Sequence, residues 1–577
     1  MKTTFLCFLI CLSGIAQNKN SNKDFLTVFE KSDGLKTAAY QEVIAYYQLL
    51  ADSFPQIHLD SIGMTDAGKP LHIATFNPDK IFEFETIRKT KQILLINNGI
   101  HPGEPDGIDA TMLLFRDLAQ GKIKIPKHTV LVTIPIYNIG GSLNRNSTTR
   151  TNQDGPEEYG FRGNARNYDL NRDFIKADTK NARTFTQIYH MVQPAVFIDN
   201  HVSNGADYQY TLTHLFTQHN KLGGDLGNYL HTEMMPSLEQ QLAIKKLDIT
   251  PYVNVFNEVP EAGFSQFLDG PRYSTGYTAL FNSLGMMVET HMLKPYKPRV
   301  EGTYELMKTM IDIIEKDHVK IKNLRSNALK QFQASKTYPL DWKVDTTKST
   351  TLSFKGYEGK MIPSEITGGK RLKYDRNKPF IKAVKYQNYF KPTVEVTIPE
   401  AYVVPQGWWN VIDLLKLNQV EMSIFEKDTT ITVESYKIDT YQTRSQAYEG
   451  HYQHYNAKVI SKTQDVKFRK GDFYVPTNQN AFRYLLETLE PQAPDSFFNW
   501  NFFDTILQQK EGFSPYAWED MAEELLMKNG ELKMEFEAKK IAETDFANNW
   551  YAQLDWLHKH SSSYELAHMQ YPVYRAI

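Results

Sequence analysis

The chain has 577 residues, which is too long for one ordinary core, so two or three domains are expected. Apolar residues make up 41% and charged residues 23%, ordinary for a folded protein and unlike a disordered one. Lysine plus arginine (65) nearly balances aspartate plus glutamate (67), so no global field favours nucleic acid or anionic lipid. Any recognition by charge is local.

Lys2, an apolar run from Phe5 to Leu12 and small residues at Ser13, Gly14 and Ala16 read as a secretory signal over residues 1–16, cleaved after Ala16. This predicts export to the periplasm or the extracellular space. Both cysteines, Cys7 and Cys11, fall inside that segment, so the mature chain would form no disulfide. No later run of about 18 apolar residues follows, and no membrane span is expected in the mature chain.

Tyr40 to Leu50 has the apolar periodicity of a helix, and Leu71–Phe76, Ile93–Ile96 and Val130–Ile136 read as strands. A helical stretch, Ala110–Ala119, separates the last two. Strand and helix alternate, which argues for an α/β sheet covered on both faces. In such sheets function gathers where strands end. The run ILLINNGIHPGE stops there with His101 and Glu104, which could converge on one cation through the turn at Pro102 and Gly103. With 16 histidines in the chain the spacing alone is weak, and two residues are not a site.

Asn138 to Arg166 is a long polar segment holding Arg145, Arg150, Arg162 and Arg166, too long for an idle connection. It runs into YDLNRDF, where Asn171 and Arg172 set an amide beside a guanidinium, a pairing suited to a carboxylate. A helix from about Lys180 to Met191 leads to a buried strand, Ala195–Asp199, that halts at Asn200 and His201. A further apolar strand, Met286–Val288, presents Glu289, a carboxylate expected at the surface or in a functional cleft. Met307 to Leu324 is an amphipathic helix near which the first domain, residues 35–325, is expected to end.

Residues 326–350, rich in Lys, Ser and Thr, read as a linker. A β-rich module is expected over 351–470, from alternations such as Val394, Val396 and Ile398 and the pair Ile431 and Val433. A mixed region over 471–577 follows, with helices over Phe482–Leu489 and Pro515–Leu526.

HPGE at 101–104, DLNR at 169–172, and His201 and Glu289 after apolar strands together resemble the zinc carboxypeptidases of the carboxypeptidase A type, over roughly residues 35–320. The resemblance implies a mixed sheet flanked by helices and one zinc ion held by His101, Glu104 and His201. It further implies Glu289 as general base, Asn171 and Arg172 as the clamp on a substrate's terminal carboxylate, and Asp169 as the acceptor orienting His101. Two features depart from the pattern. Gly103 stands where the family often has arginine, and the family's mobile tyrosine would fall near Phe267, leaving Tyr273 and Tyr277 as the nearest substitutes. Position within the loop favours Arg150 as the oxyanion donor.

The expected activity is hydrolysis of C-terminal peptide or peptide-like bonds, on substrates with a free carboxylate, by a zinc-activated water. A zinc deacylase acting on N-acyl amino acids or modified peptides would use much the same residues. A non-catalytic exported binding protein is the reading from another class.

Overall fold

In a computed structural model, residues 25–577 are described; the leader read over residues 1–16 and both cysteines lie outside them. The first part is built on strands β1 (Ile57–Met64), β2 (Pro70–Phe76), β3 (Gln92–Asn97), β4 (Thr129–Ile134), β5 (Val196–Ser203), β6 (Leu212–Phe216) and β7 (Ile249–Pro251). Past the two-residue β8 (Phe264–Ser265) it is completed by β9 (Leu284–His291). These form an eight-stranded sheet in the order β1-β2-β4-β3-β5-β9-β6-β7. β3 pairs in parallel with β4 and β5, and β5 with β9, whereas β1, β2 and β6 add antiparallel pairings. The fold is therefore the mixed α/β sheet expected from the alternation of elements.

Every residue of β3, β4 and β5 is buried, which explains why these strands read as continuous apolar runs rather than alternating ones. Period-two alternation along β5 identifies the faces. Asn200 points to Asn98 and Met307, toward the helices Asp106–Ala119 and Tyr296–Gln333. Asp199 points the other way, to Ser274 at the start of the helix Ser274–Ala279.

Several boundaries differ from the sequence reading. β5 does not halt at Asn200 and His201 but runs to Ser203, and β9 continues through Glu289 to His291. Asp199 and His201 are satisfied within the ladder by bonding each other, with Asn97 and Ser274 completing Asp199. Residues 326–350 are not a linker. The helix from Tyr296 reaches Gln333, and β10 (Thr337–Val344) follows, anchored by the buried Tyr338 and Leu340 while Lys343 faces solvent.

β10 pairs with β13 (Phe390–Thr397), and the long hairpin of β11 (Thr350–Pro363) and β12 (Lys370–Gln387) is joined to the first part through β8. A six-stranded sheet then unites β14 (Ala401–Val404), β15 (Ser423–Ile424), β16 (Thr429–Thr443), β17 (His454–Phe468), β18 (Phe473–Pro476) and β19 (Tyr574–Ala576). Because β18 and β19 belong to the same sheet as β14 and β16, the division expected at 470/471 is not a structural boundary. Strands of three and four residues carry too little alternation to be recognised from sequence. Helices between Pro515 and Lys559 enclose a small separate core around Trp518, Phe536 and Leu554. Among the described residues no helix is long and apolar enough to cross a membrane.

Candidate metal centre

β3, β5 and β9 are neighbours, and their carboxyl ends open into one cleft of about 530 Å³. His101 and Glu104 lie on the turn after β3, where the Glu104 backbone N–H donates to the His101 carbonyl at 2.8 Å and so folds both side chains to one side. His201 comes from β5. Its register partner on β9 is Glu289, so the histidine and the second glutamate stand side by side.

The His101 Nδ1 and His201 Nδ1 atoms lie 3.2 and 3.3 Å from Glu104 Oε2, and the ligand atoms of all three residues fall within 4.8 Å of one another. Zinc bonds of about 2.0–2.1 Å in tetrahedral geometry put neighbouring ligand atoms about 3.3 Å apart, so the donor set and its spacing fit a zinc ion. The other ring nitrogens are tied back. His101 Nε2 meets Asp169 Oδ1 at 2.9 Å and His201 Nε2 meets Asp199 Oδ2 at 3.0 Å. To hold an ion the rings would take tautomers protonated at Nε2, which satisfy both carboxylates and free each Nδ1 lone pair on the Glu104 side.

Burial alone would raise the Glu104 carboxyl, but the charges of His101 and Arg150 outweigh it and hold the group well below the usual range. Glu289 shows the opposite balance. It is half-buried with no cation bonded to it among the described residues, and burial first, then the nearby Glu104 charge, push it up to about 7 against the pull of His201 and His101.

Two arginines reach the metal side of the cleft, where the sequence reading favoured one. Arg150 donates to Glu104 Oε1 at 2.6 Å, and its stem fills the space a side chain at Gly103 would occupy, 2.8 Å from where a Cβ would stand. Arg162 grips Asp169 Oδ2 through Nε and Nη2 at 3.0 and 2.8 Å, leaving Nη1 3.3 Å from His101 Nδ1. Arg145 and Arg166 bond elsewhere, to Thr37 and Glu158 and to Asp178.

Asn171 and Arg172 line the same cleft, and the guanidinium of Arg172 lies 4.5 Å from the centre of the Tyr273 ring. Tyr273 is thus a platform under Arg172. Tyr277 lies outside the cleft, buried with its hydroxyl on Asn418. Phe267 does line the cleft, edge-on to Tyr273.

Sequence reasoning missed Asp199 and Tyr252. Asp199 had a visible signal, since D-x-H on a strand puts both side chains on one face. Tyr252, on the cleft wall after β7, had none, because three strand residues give no readable pattern.

With this geometry in view, residues 43–206 match the family model described as zinc carboxypeptidase, and the resemblance drawn from the motifs is shown for that segment. It contains His101, Glu104, DLNR and His201 but ends before Glu289. No curated protein matches. Among solved structures, the chain is similar to a metallo-carboxypeptidase from Burkholderia cenocepacia (15% identity, 49% of this chain and 70% of that one, TM-score 0.36). Carboxypeptidase A from Helicoverpa armigera (14%, 48% and 74%, TM-score 0.37) and a metallo-carboxypeptidase from Pseudomonas aeruginosa (12%, 49% and 70%, TM-score 0.37) are similar at the same level.

Proposed function

We propose that the protein is an exported zinc metallocarboxypeptidase that hydrolyses C-terminal peptide or peptide-like bonds. The observation that carries this is the convergence of His101, Glu104 and His201 on one point, with Glu289 beside His201 in register. His101, Glu104 and His201 would hold the ion. A bound zinc ion supplies Lewis acidity, polarising a carbonyl and lowering the pKa of water from about 15.7 toward 7.

The remaining roles belong to the chain's own side chains. Arg172 and Asn171 hold the terminal carboxylate of the substrate, with Tyr273 fixing the plane of the guanidinium. Glu289 takes a proton from the attacking water and delivers it to the departing amine, while the hydroxyl joins the carbonyl carbon. Arg150 and Arg162 face the carbonyl oxygen, a donor type worth about 3–4 kcal/mol when removed. Asp169 and Asp199 keep the imidazoles in place. Export rests on the leader-like residues 1–16.

Metal analysis combined with mass spectrometry of products from a peptide library tests the reading. The expected products are peptides shortened by their last residue, together with about one zinc per chain. Glu289→Gln should keep the zinc and lower kcat about 10³-fold. Acyl groups released in place of C-terminal residues, or zinc bound with no product from any substrate, would overturn the assignment.

A further inference from the structure

The segments that wall the cleft are supported from outside the first part of the chain. Residues 444–453, the loop between β16 and β17, reach across and rest on the DLNR segment. Glu449 Oε2 accepts the Asp169 backbone N–H at 2.8 Å, and His451 Nε2 meets Asp178 Oδ2 at 2.8 Å. Gly450, at φ +80°, brings the loop so close to Tyr168 that a Cβ there would lie 2.6 Å from the phenol oxygen. The same loop touches the other side of the clamp, since the Arg272 guanidinium, next to Tyr273, lies 5.7 Å from the Tyr448 ring centre and bonds Gln453.

A second carboxylate beside Asp169 is costly unless something is gained. Arg172 and Lys176 offset part of that cost, yet burial and the Asp169 charge still raise the Glu449 carboxyl. What is gained is a fixed backbone at the residue that holds both His101 and Arg162.

We propose that Glu449 is a positioning residue of the metal centre: by anchoring the Asp169 backbone it sets the orientation of His101, and the C-terminal region thereby supplies part of the site. This rests on the zinc reading above. It also gives the last 240 or so residues a role in the chemistry, because Glu449 stands in the loop between two strands of their six-stranded sheet.

The test is the zinc dissociation constant of the full chain, measured by competition with a chromophoric chelator, so that no substrate is needed. Direct partners of a metal-bound histidine are worth about 10- to 100-fold in affinity, and one bond further out about 3- to 10-fold is expected for Glu449→Ala. Glu449→Gln keeps an acceptor oxygen and should stay within about twofold of the parent. His451→Ala removes the loop's separate bond to Asp178 but keeps Glu449 as acceptor for the Asp169 N–H, and should leave zinc binding unchanged. Equal affinities for parent and Glu449→Ala would sink the inference. So would Gln as weak as Ala, or His451→Ala as weak as either. A parent chain that binds no zinc would sink the metal centre itself; one that binds zinc but cleaves nothing would remove the hydrolase reading and leave this inference to be decided by the affinities.

Discussion

The two imidazoles of the centre are supported in opposite ways. His201 is held within one strand. Asp199, two residues earlier on the same face of β5, accepts from His201 and is itself fixed by Asn97 of β3 and Ser274, in a site closed to solvent. His101 sits on a turn and is held by Asp169, 68 residues away, which is steadied in turn by Arg162 and by Glu449, 280 residues further on. The first acceptor lies two residues away on the same strand and is closed to solvent with its own partners, whereas the second is brought in by a loop at the rim of the cleft. The difference predicts that the His201 side couples to global stability, whereas the His101 side couples chiefly to metal affinity.

The strongest way to break that contrast is the same substitution at both aspartates. Asp199→Asn places an amide N–H among three donors that have no water to turn to, and should cost about 3–5 kcal/mol of folding stability and about 100-fold in zinc affinity. Urea unfolding followed by zinc titration measures both. An Asp199→Asn variant as stable as its parent would show that the strand does not depend on this cluster.

A somewhat smaller effect belongs to Glu289, which shares the His201 side by register. In the metal-free protein its carboxyl is pushed from its ordinary value near 4.5 up to about 7, by burial first. The folded state therefore keeps a proton there that the unfolded chain gives up, and this contribution is complete below about pH 4.5 and lost as pH rises through about 7. At about 1.4 kcal/mol per pH unit the window amounts to about 3 kcal/mol. Glu289→Gln should remove the loss. In chelator its unfolding midpoint should exceed the parent's at pH 8 and match it near pH 4.5. Parallel curves for the two proteins would contradict the assigned environment.

The same contrast explains what could be read from sequence. The β3, β5 and β9 strands were legible because burial on both faces leaves unbroken apolar runs, and the ligands were legible because each follows such a run. The eight-stranded sheet also contains β1, β6 and β7, which were missed. β1 alternates weakly and carries a bulge at Ser61/Gly63, and β7 has three residues. Of the aspartates, Asp169 came from a motif, whereas Asp199 was readable from spacing and was overlooked. Arg162 was passed over for Arg150, because order along a loop does not reveal that two arginines separated by a dozen residues return to one point. Glu449 lay beyond any local pattern. Its contact depends on how the 444–453 loop meets a segment 280 residues earlier, and no spacing within 444–453 encodes it.

The smallest of these effects sharpens the comparison from the other side. Asp169→Asn keeps one carbonyl oxygen for His101 Nε2 and loses the charge that grips Arg162, whose side chain is 45% exposed and already solvated. With Asp169 13% exposed but its cation free to turn to water, the pair contributes about 1 kcal/mol, so stability should change by about that much. Zinc affinity should nevertheless fall about tenfold, because the imidazole loses the anion that raises its basicity. Calorimetric titration of zinc beside thermal unfolding of the metal-free variant separates the two quantities. A stability loss at Asp169 as large as that at Asp199 would mean that both histidines are built into the core alike. A tenfold affinity loss with a Tm only slightly moved would place the His101 support outside the folding core, in a rim that the chain assembles from its two halves.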